Sequence, residues 1–181
     1  MNILDKIIID KRQEVASKKK LIPLSYLMKS PLLERESFSM SQSILEGSGI
    51  IAEFKRRSPS KQVINHKDSV IEVVSGYEKA GASGISVLTD TKYFGGSLDD
   101  LIQARDHLTI PLLRKDFIID PYQIYEAKAF GADTILLIAA VLNPEEVTLF
   151  SQLAHQLDLE VLLEVHNEEE LKRSDLDHVD L

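Results

Sequence analysis

From residue 50 onward, short apolar runs of strand length alternate with segments of helical period, and this alternation constrains the fold more than any other feature. The strand-like runs span 50–54, 84–89, 111–115, 134–139 and 160–165, and helical period runs through 68–80, 98–107, 121–130, 144–157 and 168–173. Helix starts carry their own marks. Ser97-Leu98-Asp99-Asp100 has the spacing of a capping box. Asp120-Pro121 and Asn143-Pro144 each set an N-cap residue before proline, and Asn167 precedes three glutamates where the helix dipole favours them. Ala80-Gly81-Ala82-Ser83-Gly84-Ile85 is echoed, two βα units later, by Phe130-Gly131-Ala132-Asp133-Thr134-Ile135, each with glycine between a helix and a strand.

Strands that are apolar on both faces suit a parallel sheet covered by helices, so the fold class is α/β, as an eight-fold barrel or an open doubly wound sheet. Polar residues at the strand ends weigh toward the barrel, whose chemistry sits at the C-terminal ends of its strands. The runs end in Glu53 and Lys55, in Lys115 and in Glu164. Residues two apart in a strand share a face, so Glu53 goes with Lys55, Leu113 with Lys115 and Phe117, and Glu160 with Leu162 and Glu164. If those faces turn inward, two lysines and two glutamates meet at one mouth. An unpaired buried charge is costly, so Glu53 and Lys55, embedded among apolar residues, are expected to pair or to serve a ligand.

Before this pattern, 3–20 reads as one amphipathic helix, with Ile3, Leu4, Ile7 and Ile8 at helical spacing and Lys18-Lys19-Lys20 at its end; Pro23 stops it. The stretch 23–49 is irregular and reads as short helices and loops. The expected organisation is an N-terminal helical extension over 1–49 and a partial (β/α) barrel over 50–181, carrying strands 1–5.

Composition narrows the function classes. Among 181 residues there is no Cys, which excludes thiolate metal sites, cysteine nucleophiles and disulfides. The net charge of −8 argues against nucleic acid, since phosphate binding wants a basic face; the short cluster Lys55, Arg56, Arg57 and Lys61 suits a small anionic substrate instead. No apolar run approaches the ~18 residues of a membrane helix, and the first residues mix both charges, unlike a signal peptide, so a cytoplasmic protein is expected. His66, His107, His155, His166 and His178 show no metal-ligand spacing, and no dinucleotide or P-loop motif is present.

Several stretches carry a more specific signal. Ile51-Ala52-Glu53-Phe54-Lys55-Arg56-Arg57-Ser58-Pro59-Ser60 resembles the first-strand signature of indole-3-glycerol phosphate synthases. Residues 89–97 are similar to that family's loop after the second strand. Arg114-Lys115-Asp116-Phe117-Ile118 is similar to its third strand, 131–138 to its fourth, and Leu162-Leu163-Glu164-Val165-His166 to its fifth. Ile3-Leu4-Asp5-Lys6-Ile7 and Lys11-Arg12-Gln13-Glu14-Val15 resemble the helical extension before its barrel.

The resemblance implies a carbon–carbon lyase of tryptophan biosynthesis on a TIM-barrel fold. Its substrate would be 1-(2-carboxyphenylamino)-1-deoxyribulose 5-phosphate, closed to an indole with loss of carbon dioxide and water, without metal or organic cofactor. It also implies residue roles. Lys115 would be the general acid near the ketone. Lys55 would contact the substrate carboxylate and serve in dehydration, Glu53 would orient Lys55 and the substrate, and Glu164 would stabilise charge and act as base. Ser58 would hold the phosphate end, and Phe94, Phe117 and Leu137 would line the pocket around the anthranilate ring. For these last three, ordinary core is the alternative.

The last residues, Asp177-His178-Val179-Asp180-Leu181, read as the approach to a sixth strand. The family's sixth-strand Asn, seventh-strand Glu-Ser and eighth-strand Gly-Ser phosphate loop have no counterpart among the 181 residues, so weak or absent activity is expected of this polypeptide alone, with self-association through exposed sheet edges. Two other readings stand beside this one. A phosphoribosylanthranilate isomerase would be expected to use a Cys/Asp pair, and Cys is lacking; a non-catalytic barrel fragment would act as an assembly module.

Overall fold

Apolar runs that cannot satisfy their backbone alone have paired into one sheet of five parallel strands, in the order β1-β2-β3-β4-β5. The computed structural model describes residues 2–65 and 67–181; His66 lies outside the described residues. The strands are β1 (Ile51–Phe54), β2 (Gly84–Leu88), β3 (Leu112–Lys115), β4 (Thr134–Ile138) and β5 (Glu160–Glu164). The helices, in chain order, are α1 (Ile3–Leu21), α2 (Leu24–Leu27), α3 (Met40–Glu46), α4 (Val70–Lys79), α5 (Thr91–Phe94), α6 (Leu98–His107), α7 (Pro121–Ala129), α8 (Pro144–Gln156) and α9 (Glu168–Arg173). Strands and helices alternate from β1 onward, the arrangement of a partial TIM barrel.

Local chemistry sets the element ends. Ser69, Asp120 and Asn143 each close a reciprocal capping box at the start of α4, α7 and α8. At Ser97 only half of the expected box forms: its hydroxyl accepts from the Asp100 amide, but the Asp100 carboxylate is taken by Arg56, at 2.5 Å. The two glycine echoes are matching C-terminal turns. Gly81 (φ 91°) and Gly131 (φ 88°) occupy the left-handed region, and the amides of Ala82 and Ala132 reach back to Tyr77 and Ala127.

Adjacent residues of each strand face opposite ways, and the two faces have different cores. The outer face, with Phe54, Ile85, Val87, Leu112, Ile135, Leu137 and Val161, is buried under α4, α6, α7 and α8. The inner face carries Ile51, Leu113, Leu136, Ile138 and Leu162. Leu137, expected from the resemblance to line the substrate pocket, is therefore corrected: it is fully buried on the helix-covered face, and its neighbours Leu136 and Ile138 face inward.

The N-terminal segment is tied to this sheet at both ends. Val15 of α1 and Leu27 of α2 pack with Tyr122 and Ala129 of α7. Met40, at the start of α3, closes the N-terminal end of the inner face, so near Gly84 that a Cβ there would lie 2.2 Å from its Sδ. Glu160, the inward residue at the base of β5, accepts from the amides of Met40 and Ser41 and from the hydroxyls of Ser39 and Ser41. The stretch expected to be irregular is thus partly a plug. At the far side of the sheet, the outer edge of β5 is partly paired: the amides of Asp180 and Leu181 donate to Val161, and Leu163 donates to Leu181.

The face assignment predicts that Leu137→Ala lowers unfolding free energy by about 2–5 kcal/mol, the usual cost of emptying a fully buried leucine site. Urea unfolding checks this; a loss confined to ligand binding, without loss of stability, would contradict it.

Candidate active site

The inward parity of β1, β3 and β5 brings Glu53, Lys55, Lys115 and Glu164 to one cavity of about 200 Å³ at the C-terminal ends of the strands. Register explains the meeting: Glu53 lies beside Ser86 of β2, and Lys115 beside Leu88. Lys55 Nζ is 2.6 Å from Glu53 Oε1, and Lys115 Nζ is 3.0 Å from Glu53 Oε2. One carboxylate is shared by two ammonium groups. Burial opposes the ionisation of Glu53, but the hydrogen bonds from Lys55 and Lys115 outweigh it and hold its carboxyl below the ordinary carboxylate range. Glu164 lines the same cavity with its carboxylate 3.3 Å from His166 Nε2.

The apolar part of the wall is Leu88, Phe94, Phe117, Leu136 and Ile138. The rings of Phe94 and Phe117 stand 6.0 Å apart at 40°. Phe94 ends α5, a single turn that the sequence pattern does not reveal, because four residues are too few to show a period. The local signals are there: Asp90 accepts from the amides of Tyr93 and Phe94, and Gly95 (φ 69°) ends the turn. Gly96 lies so close over the end of β2 that a Cβ would come within 1.9 Å of the Leu88 carbonyl oxygen.

Ser58 is placed elsewhere. It forms a small turn with Lys61, its amide donating to the Lys61 carbonyl, and its hydroxyl lies 3.1 Å from that of Ser60; it does not line the cavity. The basic cluster is dispersed as well. Arg56 pairs with Asp100, and Arg57 donates to the carbonyls of Thr91 and Lys92, so Lys55 alone of 55–57 serves the cavity. A larger hollow of about 330 Å³ at the opposite end of the strands is lined by Ser39, His155, Glu160 and Asp180, but Glu160 there is committed to α3. Among the described residues no three His, Asp or Glu side chains gather as a metal cluster would, and no helix is long and apolar enough to cross a membrane.

The family model for indole-3-glycerol phosphate synthase matches residues 4–177. An indole-3-glycerol phosphate synthase of Bacteroides thetaiotaomicron is 50% identical over 171 residues, covering 94% of this chain and 66% of that protein. One from Neisseria meningitidis serogroup B is 44% identical over 177 residues, 95% of this chain and 68% of its own. One from Prochlorococcus marinus is also 44% identical, over 175 residues, and is covered to 59%. The chain spans about two thirds of the length of these relatives.

The shared carboxylate gives a titration prediction. In carbon-13 NMR, the Glu53 side-chain carboxyl is expected to titrate with a midpoint below the ordinary value of about 4.3. Because the folded value is depressed, Glu53 contributes stability that is present above its unfolded pKa and is lost as pH falls through the folded one. A midpoint at or above the ordinary value would show that the two lysines do not hold it.

Proposed function

The chain belongs to the indole-3-glycerol phosphate synthase family, and from that premise we propose that its cavity performs the ring closure of 1-(2-carboxyphenylamino)-1-deoxyribulose 5-phosphate. The observation that carries this reading is the single carboxylate of Glu53 holding two ammonium groups at an aromatic-walled mouth, with a second carboxylate, Glu164, on the same cavity.

The chemistry uses each part. The ring carbon bearing the carboxylate attacks the ketone carbon, and the ketone oxygen takes a proton from Lys115 as the new carbon–carbon bond forms. Carbon dioxide leaves, and its bonding pair returns to the ring. The hydroxyl then departs as water, protonated by an ammonium, while Glu164 removes a proton from the carbon beside the ring nitrogen. Proton transfer by a positioned side chain is worth about 10²–10⁴ in rate for each such group. Lys55 pairs with the substrate carboxylate before decarboxylation and supplies the proton for dehydration; Glu53 fixes both ammonium positions. Leu88, Phe94, Phe117, Leu136 and Ile138 hold the aromatic ring in a poorly hydrated wall, where the ionic contacts are stronger than in water. Ser58, on the loop after β1, takes the phosphate end once that end extends past the cavity.

In the same proposal, the protein works in a cytoplasmic setting. Self-association is the second part of the reading. Among the described residues β1 has a partner on one side only, and an unpaired strand edge is a template for another chain. Gel filtration that shows a single species at all concentrations would remove this second part.

Indole formation followed by absorbance tests the first. Lys115→Met is expected to lower turnover by about 10²–10⁴ relative to the parent chain. Equal rates in the two proteins would sink the assignment of Lys115. Calorimetry gives a separate readout: the reduced substrate, 1-(2-carboxyphenylamino)-1-deoxyribitol 5-phosphate, cannot cyclise, and is expected to bind the parent chain and to lose affinity in Glu53→Gln.

A further inference from the structure

A lysine in the first helix holds the two aromatic walls of the cavity without touching the cavity itself. Lys11 of α1 is 1% exposed, and its ammonium lies 2.9 Å from each of Glu14 Oε2, Asp90 Oδ2 and Asp116 Oδ1. The carboxylates of Asp90 and Asp116 have a second task. Asp90 Oδ1 accepts from the amides of Tyr93 and Phe94, at 2.7 and 3.3 Å, and Asp116 Oδ1 accepts from the amide of Phe117, at 2.8 Å. The same ammonium therefore joins the two groups that fix the main chain at Phe94 and at Phe117.

We propose that Lys11 is a positioning residue, whose bridge between Asp90 and Asp116 sets the spacing of the Phe94 and Phe117 rings around the substrate's aromatic ring. This rests on the ring-closing reading for the identity of the ligand, though not for the bridge itself. Electrostatics gives the reason. Both carboxylates are almost fully buried, so without a cation between them they repel across a medium that screens poorly. Arg114 and Thr89 hold only the other oxygen of Asp116, at 3.1 and 2.6 Å, so the oxygen that accepts from the Phe117 amide has Lys11 as its ammonium partner. The directions of protonation fit: coulombic attraction outweighs burial at both ends, raising Lys11 and lowering Asp116 from their ordinary values. The residue before Lys11 acts on the same loop from outside. Asp10 accepts from Lys92 Nζ at 2.6 Å and from the hydroxyl of Tyr93. Two successive residues of α1, of opposite charge, thus grip α5.

Amide hydrogen exchange on the whole chain tests this, with Lys11→Met and Asp10→Ala. In Lys11→Met the amides of Tyr93, Phe94 and Phe117 are expected to exchange about tenfold faster, while those of β4 stay as in the parent. In Asp10→Ala, which leaves the buried bridge in place and keeps the test open if Lys11→Met fails to fold, the increase is expected at Tyr93 and Phe94 and not at Phe117. Binding of 1-(2-carboxyphenylamino)-1-deoxyribitol 5-phosphate is expected to weaken about tenfold in Lys11→Met. Faster exchange throughout the sheet would make Lys11 a purely structural residue and overturn the proposal, as would unchanged exchange at the three amides in Lys11→Met, or at Tyr93 and Phe94 in Asp10→Ala. Should the parent chain not bind the alditol, the ring-closing reading falls instead, and the exchange pattern alone decides for or against the bridge.

Discussion

In a parallel sheet wrapped by helices, neighbouring residues of a strand must face opposite surroundings, and the organisation of this molecule follows from that constraint. On β1 it sends Phe54 under the helices and leaves Glu53 with Lys55 on the concave side. On β3 it sends Lys115 to the mouth, while Arg114, one residue away, is buried outward against Glu126 of α7. Had β1 slipped by a residue, Glu53 would enter the helix layer and Phe54 would face the mouth; on β3, Arg114 and Lys115 would exchange surroundings. The outer core of Phe54, Ile85, Leu112, Ile135 and Val161 resists such a slip at every strand.

The charges that do enter the helix layer are organised rather than incidental. Arg114 is satisfied by Thr89, Asp116, Glu126 and the Gln123 carbonyl, and Lys11 completes the group from α1. Desolvating each such ion costs several kcal/mol, and well-packed apolar residues of similar size often give equal or greater stability. A network of this kind is therefore better understood by what it orients than by what it adds to stability. Here it joins the N-terminal extension to the loop after β2 and the loop after β3, the two segments that carry Phe94 and Phe117 to the mouth.

The sequence disclosed the parts of this plan that repeat. Five strand runs and the major helices were legible because each spans enough residues to show its period, and the positions of Glu53, Lys55, Lys115 and Glu164 followed from parity. Elements shorter than a period were not legible: α5 is one turn, and α3 is defined as much by the Glu160 carboxylate from β5 as by its own residues. Leu137 shows a different limit. Four consecutive apolar residues, Ile135 to Ile138, look alike from the sequence, and only the sheet tells which of them meet the helices and which the mouth. The half-formed box at Ser97 shows a third, since the Asp100 side chain answers to Arg56, 44 positions away, rather than to its own helix.

The contact of Gly96 with the end of β2 has a bearing on how such a mouth can change. Where main chain rests on main chain, Gly96 itself offers no side chain to be trimmed, and a substitution there would push the loop off the end of β2. Room for a bulkier ligand has to come instead from the side chains of the wall, Leu88, Phe94, Phe117, Leu136 and Ile138. Adaptation to new ligands would therefore run through those side chains and not through the main chain at Gly96.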